Sequence, residues 1–537
     1  MNFMNERISP TANTAMRMAV AWGICLLHGA SVAWAQGGVQ AGILIQGFDV
    51  LGDNPLSSGE TARALSPYLR KPVTLQTLQE ATQALEQVLR DSGHSLYRVS
   101  LPAQELSTDV RLSIVSFTIG QIKIENPGAY SENNIRSSVP ELKVGQSPNV
   151  KRLALQTALA NENPGKQITV VLKESELAGK VDAHIQVAPT KPWSLSVTQS
   201  NTGTPSTGRD RITFAGTHSN LWDSDHQFTG AYTTSLQRPS DVRQYGLAYK
   251  LPMYRQGGMV AISATRSDVI GSFGAFTSTG AGHTLGLNYT QHLPATGSYR
   301  DFLTVSLDDK FFQGSQINGT AVGSDTRSRT LALGYGGKSQ TEHSAWSFSL
   351  DWASNLPGGR ANDLWSYTNG GTNNEISSHR WQGFRLNSQY ALLTPSQWSW
   401  TIRGNAQIVN QAVIAGEQFG LGGSSSIRGT RERALAGDKG LLISAEVSTP
   451  DLGRGAKLAA FTDWGQVRDI RPNGTTKLPT DALSSVGLGL RVQGSPNFML
   501  IMDYARLVKG SRVSLANNPS APQKGDDKLH VNASWRF

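Results

Sequence analysis

Leu421 to Thr430 reads LGGSSSIRGT: two adjacent glycines and three serines run into an isoleucine, an arginine and a third glycine. A small-residue loop ending in a cation can cradle phosphate, but that chemistry needs a strand before the loop, a helix after it and a lysine within it. None of these is visible around Arg428. Nucleophilic and metal chemistry fare no better. His343, His379 and His530 are scattered, with no Ser/His/Asp order or metal-like spacing linking them. The sole cysteine is Cys25. Neither enzymatic activity nor a metal or cofactor is expected. What remains is Arg428 in a tight loop and Asp463 in AFTDWG, Ala460 to Gly465. Arg428 reads equally as a solvated loop cation. Asp463 has a second candidate partner in Arg491, which shares a strand face with Gly487 and Gly489 in VGLGLRVQ.

The elements that must position these residues begin with an export signal over residues 1–35. Arg7 and Arg17 precede the apolar run Met18 to Ala30, and Ala33-Trp34-Ala35 has the small-x-small cleavage pattern. Its removal takes Cys25 with it and lowers the formal net charge from +9 to +8 by removing Glu6, Arg7 and Arg17. The remaining basic residues are scattered, whereas a polyanion favours clusters. No nucleic-acid partner is expected.

Two short units follow. In the first, residues 36–117, AGILIQGFDVLG (Ala41 to Gly52) reads as a strand, and Ser58 and Thr61 open helical patterning. Leu75, Leu78, Ala81, Leu85, Val88 and Leu89 then recur at three- and four-residue spacing, with Gly93 as a C-cap. Strands are expected near Leu96 to Leu101 and Val110 to Gly120. The second unit, residues 118–190, repeats the order β-α-α-β-β: a strand from Thr118 to Gly128, helices over Ser131 to Val139 and Pro148 to Asn161, and strands over Gln167 to Glu174 and Lys180 to Pro189. Repeated order with little residue identity predicts two copies of one small domain.

From Trp193 the periodicity becomes two. In LHVNASWRF, Leu529, Val531, Ala533, Trp535 and Phe537 share one face, while His530, Asn532, Ser534 and Arg536 share the other. Many such segments fill residues 191–537, separated by turns such as Gly257-Gly258 and Asn473-Gly474. No stretch after the leader approaches the ~18 to 20 apolar residues of a membrane helix. A β-barrel wall escapes that test, because lipid-facing and lumen-facing residues alternate. The 345 residues from Trp193 onward allow 14, 16 or 18 strands with their connections. A soluble solenoid or sandwich explains the alternation equally, but not the aromatic residues concentrated at strand ends. Lipid requires every backbone polar group to be paired, which a closed sheet achieves.

AGEQFGLGGSSSIRGT, GDKGLLISAEVSTP and AFTDWG together resemble the two-partner secretion transporters, the haemolysin secretion/activation proteins of the ShlB/FhaC/HecB type, within the outer-membrane assembly-factor superfamily. The resemblance spans the chain beyond the leader. It implies a transmembrane β-barrel of 16 antiparallel strands in the bacterial outer membrane, preceded by two small α+β POTRA domains in the periplasm. It also gives the opening stretch a task. Gly422, Gly423, Ile427, Arg428, Gly429 and Thr430 would form the tip of an extracellular loop folded back into the barrel. Phe461, Asp463 and Gly465 would be the wall motif that Arg428 meets. Strand parity agrees: a carboxylate facing lipid is heavily penalised, so Phe461, Asp463 and Gly465 face the lumen and Trp464 the lipid. Within that lumen Arg428 can grip Asp463 bidentately, with Gly429 and Gly465 letting the two backbones approach. A simple pair predicts that exchanging the two charges restores function lost in each single variant.

The resemblance further implies the partners: a secreted protein with an N-terminal secretion domain, outer-membrane lipid, and the barrel-assembly machinery, which would read the final aromatic Phe537. An exposed POTRA edge strand can take an extended client by β-augmentation. Here that strand is Gln167, Ile168, Thr169, Val170, Val171, Leu172 and Lys173, with Ile168, Val170 and Leu172 turned toward the helices. Family members often carry a plug helix ahead of the first POTRA domain. Only Gln36 to Gln40 separate the cleavage point from the first strand, so no plug is expected. The rival functions are a barrel-assembly factor and a passive porin.

Overall fold

The computed structural model describes residues 43–105, 107–125, 130–314, 316–317, 320–321, 323–370, 375–472 and 477–537. The leader, Gln36 to Gln40 and the Asn473-Gly474 turn lie outside the described residues.

The first small unit is built from β1 (Gly47–Gly52), α1 (Ser58–Leu65), α2 (Leu75–Asp91), β2 (Tyr97–Ser100) and β3 (Asp109–Ser116). Both helices start where side chains satisfy their first amides. Ser57 and Glu60 form a reciprocal capping box on α1, and Thr74 accepts from Thr77 N on α2. The apolar stripe of α2 buries Leu78, Ala81, Leu85 and Leu89. They pack against Val110, Leu112 and Ile114 of the central strand in a sheet ordered β1-β3-β2.

The second unit repeats this plan with β4 (Thr118–Glu125), α3 (Glu132–Ser138), α4 (Val150–Ala160), β5 (Lys166–Glu174) and β6 (Lys180–Pro189), the sheet running β4-β6-β5. The expected strands Val110 to Gly120 and Thr118 to Gly128 share residues 118–120; in the structure those residues belong to the second sheet, and the first strand ends at Ser116. Both sheets reward alternating apolar residues, so the hydrophobic pattern alone does not say which strand takes the shared residues.

Sixteen strands from Trp193–Ser200 to Asp527–Arg536 close into a barrel in which every neighbouring pair is antiparallel. The last strand meets the first over Asn532↔Ser200 to Arg536↔Ser196. Phe537 N extends this seam by donating to Leu195 O at 2.8 Å. Along strand Tyr299–Phe312, Leu303, Val305 and Leu307 are exposed on the outer wall, and Thr304, Ser306 and Asp308 alternate with them. An outward apolar band of this kind is the surface that lipid covers. No described helix is long and apolar enough to cross a membrane.

Candidate functional site

Val409 ends a barrel strand and Lys439 begins the next; the 29 residues between them, 410–438, turn back into the lumen. The tip of this segment is seated by apolar contact before any charge is considered. Leu421 and Ile427, both fully buried, pack with Leu442, Val467, Leu483 and Leu507 of the wall. The Thr430 hydroxyl closes the tip on itself, donating to Ile427 O (2.8 Å) and accepting from Gly423 N (3.1 Å). Gly422 and Gly423 take φ of 115° and 99° within that turn.

Arg428 is thereby held against three wall carboxylates. It donates from its backbone N and Nε to Asp463 Oδ2 at 3.0 and 2.9 Å, and from Nη2 to Oδ1 at 2.8 Å. Its Nη1 donates to Glu446 Oε2 at 2.6 Å and lies 3.7 Å from Asp503 Oδ2. Arg491, the alternative partner for Asp463, instead pairs with Asp503 at 2.6 Å and Glu446 at 3.1 Å. Two guanidinium groups and three carboxylates thus form one network. Arg428 and Asp463 are 1% and 0% exposed, so each charge there must be matched by an opposite charge within the network.

The remaining motif residues each serve a separate contact. Phe461 lies beneath the guanidinium, its ring centroid 3.3 Å from Arg428 Cζ. The two glycines expected to bring the Arg428 and Asp463 backbones together do something else. A Cβ on Gly429, which sits at φ 91°, would lie 2.9 Å from Ala505 O on another strand, and one on Gly465 would lie 2.6 Å from Leu421 Cδ2. Gly429 therefore lets the loop touch a third strand, and Gly465 leaves a recess for a loop leucine. The reason is register: a loop lying across the lumen meets several strands, not the one bearing its acidic partner.

Several contributors have no motif. Ser444 Oγ and Ser485 Oγ donate to Asp463 at 2.7 and 3.3 Å, and Gly429 N donates to His530 Nε2 at 3.1 Å. The stem has its own attachment of opposite sign, in which buried Glu417 pairs with Lys310 (3.2 Å) and Arg385 (2.6 Å) across the barrel. Single acids within apolar alternating strands, Glu446 in LLISAEVS and Asp503 in LIMDYARL, were the available sequence signal. Beside the stem the lumen keeps a cavity of about 670 Å³ lined by polar groups including Ser263, Thr265, Lys310, Arg385 and Asn405. Among the described residues no cluster of three or more His, Cys, Asp or Glu could hold a metal.

Far from this network, β5 is an edge of its sheet. Ile168, Val170 and Leu172 pack into the core of the unit, while Gln167, Thr169, Val171 and Lys173 are turned out. Backbone polarity follows from two bonds. Thr190 N donates to Gly165 O and Ser175 N to Lys180 O. With the register Gln167↔Ala188 to Lys173↔Asp182, antiparallel alternation places the ladder bonds at odd positions and aims the backbone groups of Ile168, Val170 and Leu172 off the edge. Those of Ile168 are taken by the Asn161 side chain, at 2.7 and 3.0 Å. The frame offered beyond the edge is that of Val170 and Leu172.

Comparison with known proteins adds the following. The family model described as haemolysin secretion/activation protein ShlB/FhaC/HecB matches residues 179–492, and that of the POTRA domain, ShlB-type, matches residues 43–115. The heme/hemopexin transporter protein HuxB of Haemophilus influenzae is 23% identical over 459 residues, covering 83% of this chain and 80% of its own. The outer membrane transporter CdiB of Dickeya dadantii is 22% identical over 437 residues, covering 76% and 73%. Among solved structures, CdiB from Escherichia coli superposes with a TM-score of 0.70 at 16% identity over 94% of this chain and 93% of its own, a likeness of fold.

Proposed function

The chain belongs to the haemolysin secretion/activation family of the ShlB/FhaC/HecB type, and from that membership we propose that it carries a large unfolded protein across the outer membrane by two-partner secretion. Its barrel lies in the outer membrane and its POTRA units in the periplasm. The client is a β-helical protein of haemolysin or adhesin type with an N-terminal secretion domain. Its extended segments add to the edge of β5, where main-chain bonds to Val170 and Leu172 supply affinity and the outward side chains of Thr169, Val171 and Lys173 supply selectivity.

The observation that carries this reading is a loop held inside the lumen by a buried ionic network. A passive porin needs no such bolt, and two POTRA-like units at the mouth suit reception of a polypeptide. Arg428 holds the loop inward in the resting state, and passage requires its network to exchange or release. Among the described residues no nucleotide site is apparent, and the client's own folding outside the cell supplies direction by removing the unfolded species from the equilibrium. Phe537, completing the seam, serves as the signal read by the barrel-assembly machinery, and lipid covers the outward apolar band.

Deletion of the gene tests the reading. A transporter predicts loss of one very large protein from the cell surface or medium, with other outer-membrane barrels at normal levels. A general fall in barrel assembly with that protein still exported would replace it with the assembly-factor function.

A further inference from the structure

Lys166, the first residue of β5, is completely buried. An ammonium group there must be paired to be tolerated. Its Nζ donates to Asp225 Oδ2 and to Asn134 Oδ1, both at 2.6 Å, and lies 5.0 Å from the Tyr130 ring centroid. Asp225 does not belong to the small unit. It closes the periplasmic turn between barrel strands Arg211–Leu221 and His226–Thr234. Its carboxylate also accepts from Tyr254 OH in the next turn (2.6 Å), from Asn134 Nδ2 (3.2 Å) and from Asn163 Nδ2 (3.2 Å). Asn134 Nδ2 further donates to Asp223 O, and Asn163 Nδ2 to Ser219 O.

The turn itself is strained. Trp222, Asp223 and Asp225 sit at φ of 53°, 52° and 60°, a conformation that non-glycine residues keep only where the surroundings over-determine it. Asn134 and Asn163 supply those surroundings from the small unit. A further contact, Lys338 Nζ to Glu162 Oε1 at 2.5 Å, ties the same unit to a second, non-adjacent strand of the barrel, Thr326–Gln340.

We propose that the Lys166–Asp225 clasp is a positioning device for secretion, fixing the client-receiving edge of β5 at one angle and height over the pore mouth. The proposal rests on the reading that this edge takes the client. The receiving frame at Val170 lies four residues beyond the clasp, roughly 13 Å along an extended strand, so its direction is set where the strand begins. An exposed ion pair would make a loose tether. A dry one cannot be half open, because partial separation strands two charges away from water, and the joint is therefore seated or broken. An apolar joint could hold the units together as firmly, but only directional bonds dictate one orientation.

The test uses the full-length protein in outer-membrane vesicles and in cells, in a Cys25→Ala background. Spin labels at Glu176→Cys and Ala295→Cys report the distance between the small unit and the barrel rim. Asp225→Asn and Lys166→Met are each expected to broaden that distance distribution and to lower client release at least tenfold, with heat-modifiable barrel migration unchanged. The Cβ position of Gly165 lies 2.4 Å from Ser219 Oγ and equally close to Tyr130 OH, so a Gly165→Cys/Ser219→Cys disulfide, combined with Tyr130→Phe to clear that hydroxyl and added to Asp225→Asn, re-seats the joint. It is expected to restore both the narrow distribution and secretion. An unchanged distribution in both single variants, or a stapled joint that is narrow yet still fails to secrete, overturns the proposal. A photo-crosslinking residue at Thr169 separates the premise from the inference: no crosslink to the client in the otherwise native protein refutes the edge-strand reading itself, whereas crosslinks there with normal secretion by the broadened variants refute the clasp alone.

Discussion

Asp463→Asn keeps shape and removes charge at the centre of the loop anchor. The native carboxylate accepts five bonds, three from Arg428 and one each from Ser444 and Ser485. An amide retains one accepting oxygen. With oxygen at the Oδ1 position, the bonds from Arg428 Nη2 and Ser444 survive in weaker neutral form, while the amide nitrogen confronts Arg428 N and Nε, both donors. Two charge-assisted bonds at ~1.5–3 kcal/mol each amount to about 3–6 kcal/mol. Glu446 remains 2.6 Å from Nη1, so the guanidinium is not left without a counter-charge and the lower figure applies. A loss of about 3 kcal/mol shifts the seated-to-released equilibrium of the loop roughly a hundredfold. In planar bilayers the variant should show open-channel events about a hundred times more often than the native protein, and secretion should fall. Currents and secretion indistinguishable from native, in a variant with native heat-modifiable migration, would refute the claim that this anchor holds the loop.

Exchanging the charges, Arg428→Asp with Asp463→Arg, should fail to restore secretion, because the new aspartate would face Glu446 and Asp503; recovery to near-native levels would show that the wider network contributes little. Val170→Pro removes an amide aimed off the β5 edge and should abolish client crosslinking while the unit stays folded, whereas Val171→Pro removes a ladder donor and should unfold the unit; limited proteolysis of the full-length protein tells the two apart. The bonds from the Ser57 hydroxyl and amide hold the Glu60 carboxylate below its ordinary pKa. Because the folded value is the lower one, the capping contribution is complete above the ordinary glutamate value of 4.5 and disappears as pH falls through the lowered value. Hydrogen-exchange protection of Ser58–Leu65 should therefore drop on acidification, and Glu60→Gln should make it insensitive to pH in that window.

Element type was legible wherever one face of an element is buried, since period two and period 3.6 are both written in residue order. The helix Leu75–Asp91 and the strand Lys166–Glu174 lie within or next to the expected ranges for that reason. Which of two adjoining strands takes residues 118–120 was not legible, because two different sheets reward the same alternation. Parity also put Asp463 on the inner face. Parity alone could not say which residues of neighbouring strands stand level with it, since barrel register is set by hydrogen bonding between segments far apart in sequence. Asp503 and His530 meet the loop across 75 and 101 positions. Lys166 was invisible for a stronger reason: nothing in KQITVVLKE separates a buried lysine from a solvated one until the turn bearing Asp225 is in place.

The apolar seat of the loop tip has a consequence for leakage. When Leu421 and Ile427 leave the wall, Leu442, Val467, Leu483 and Leu507 are bared to the water of the pore. An empty open channel pays that wetting penalty in full, whereas a channel occupied by an unfolded chain can lay the traveller's own greasy side chains on the vacated wall. On the proposed export route, cargo would lower the cost of the gap through which it moves, and the membrane would stay tight between passengers.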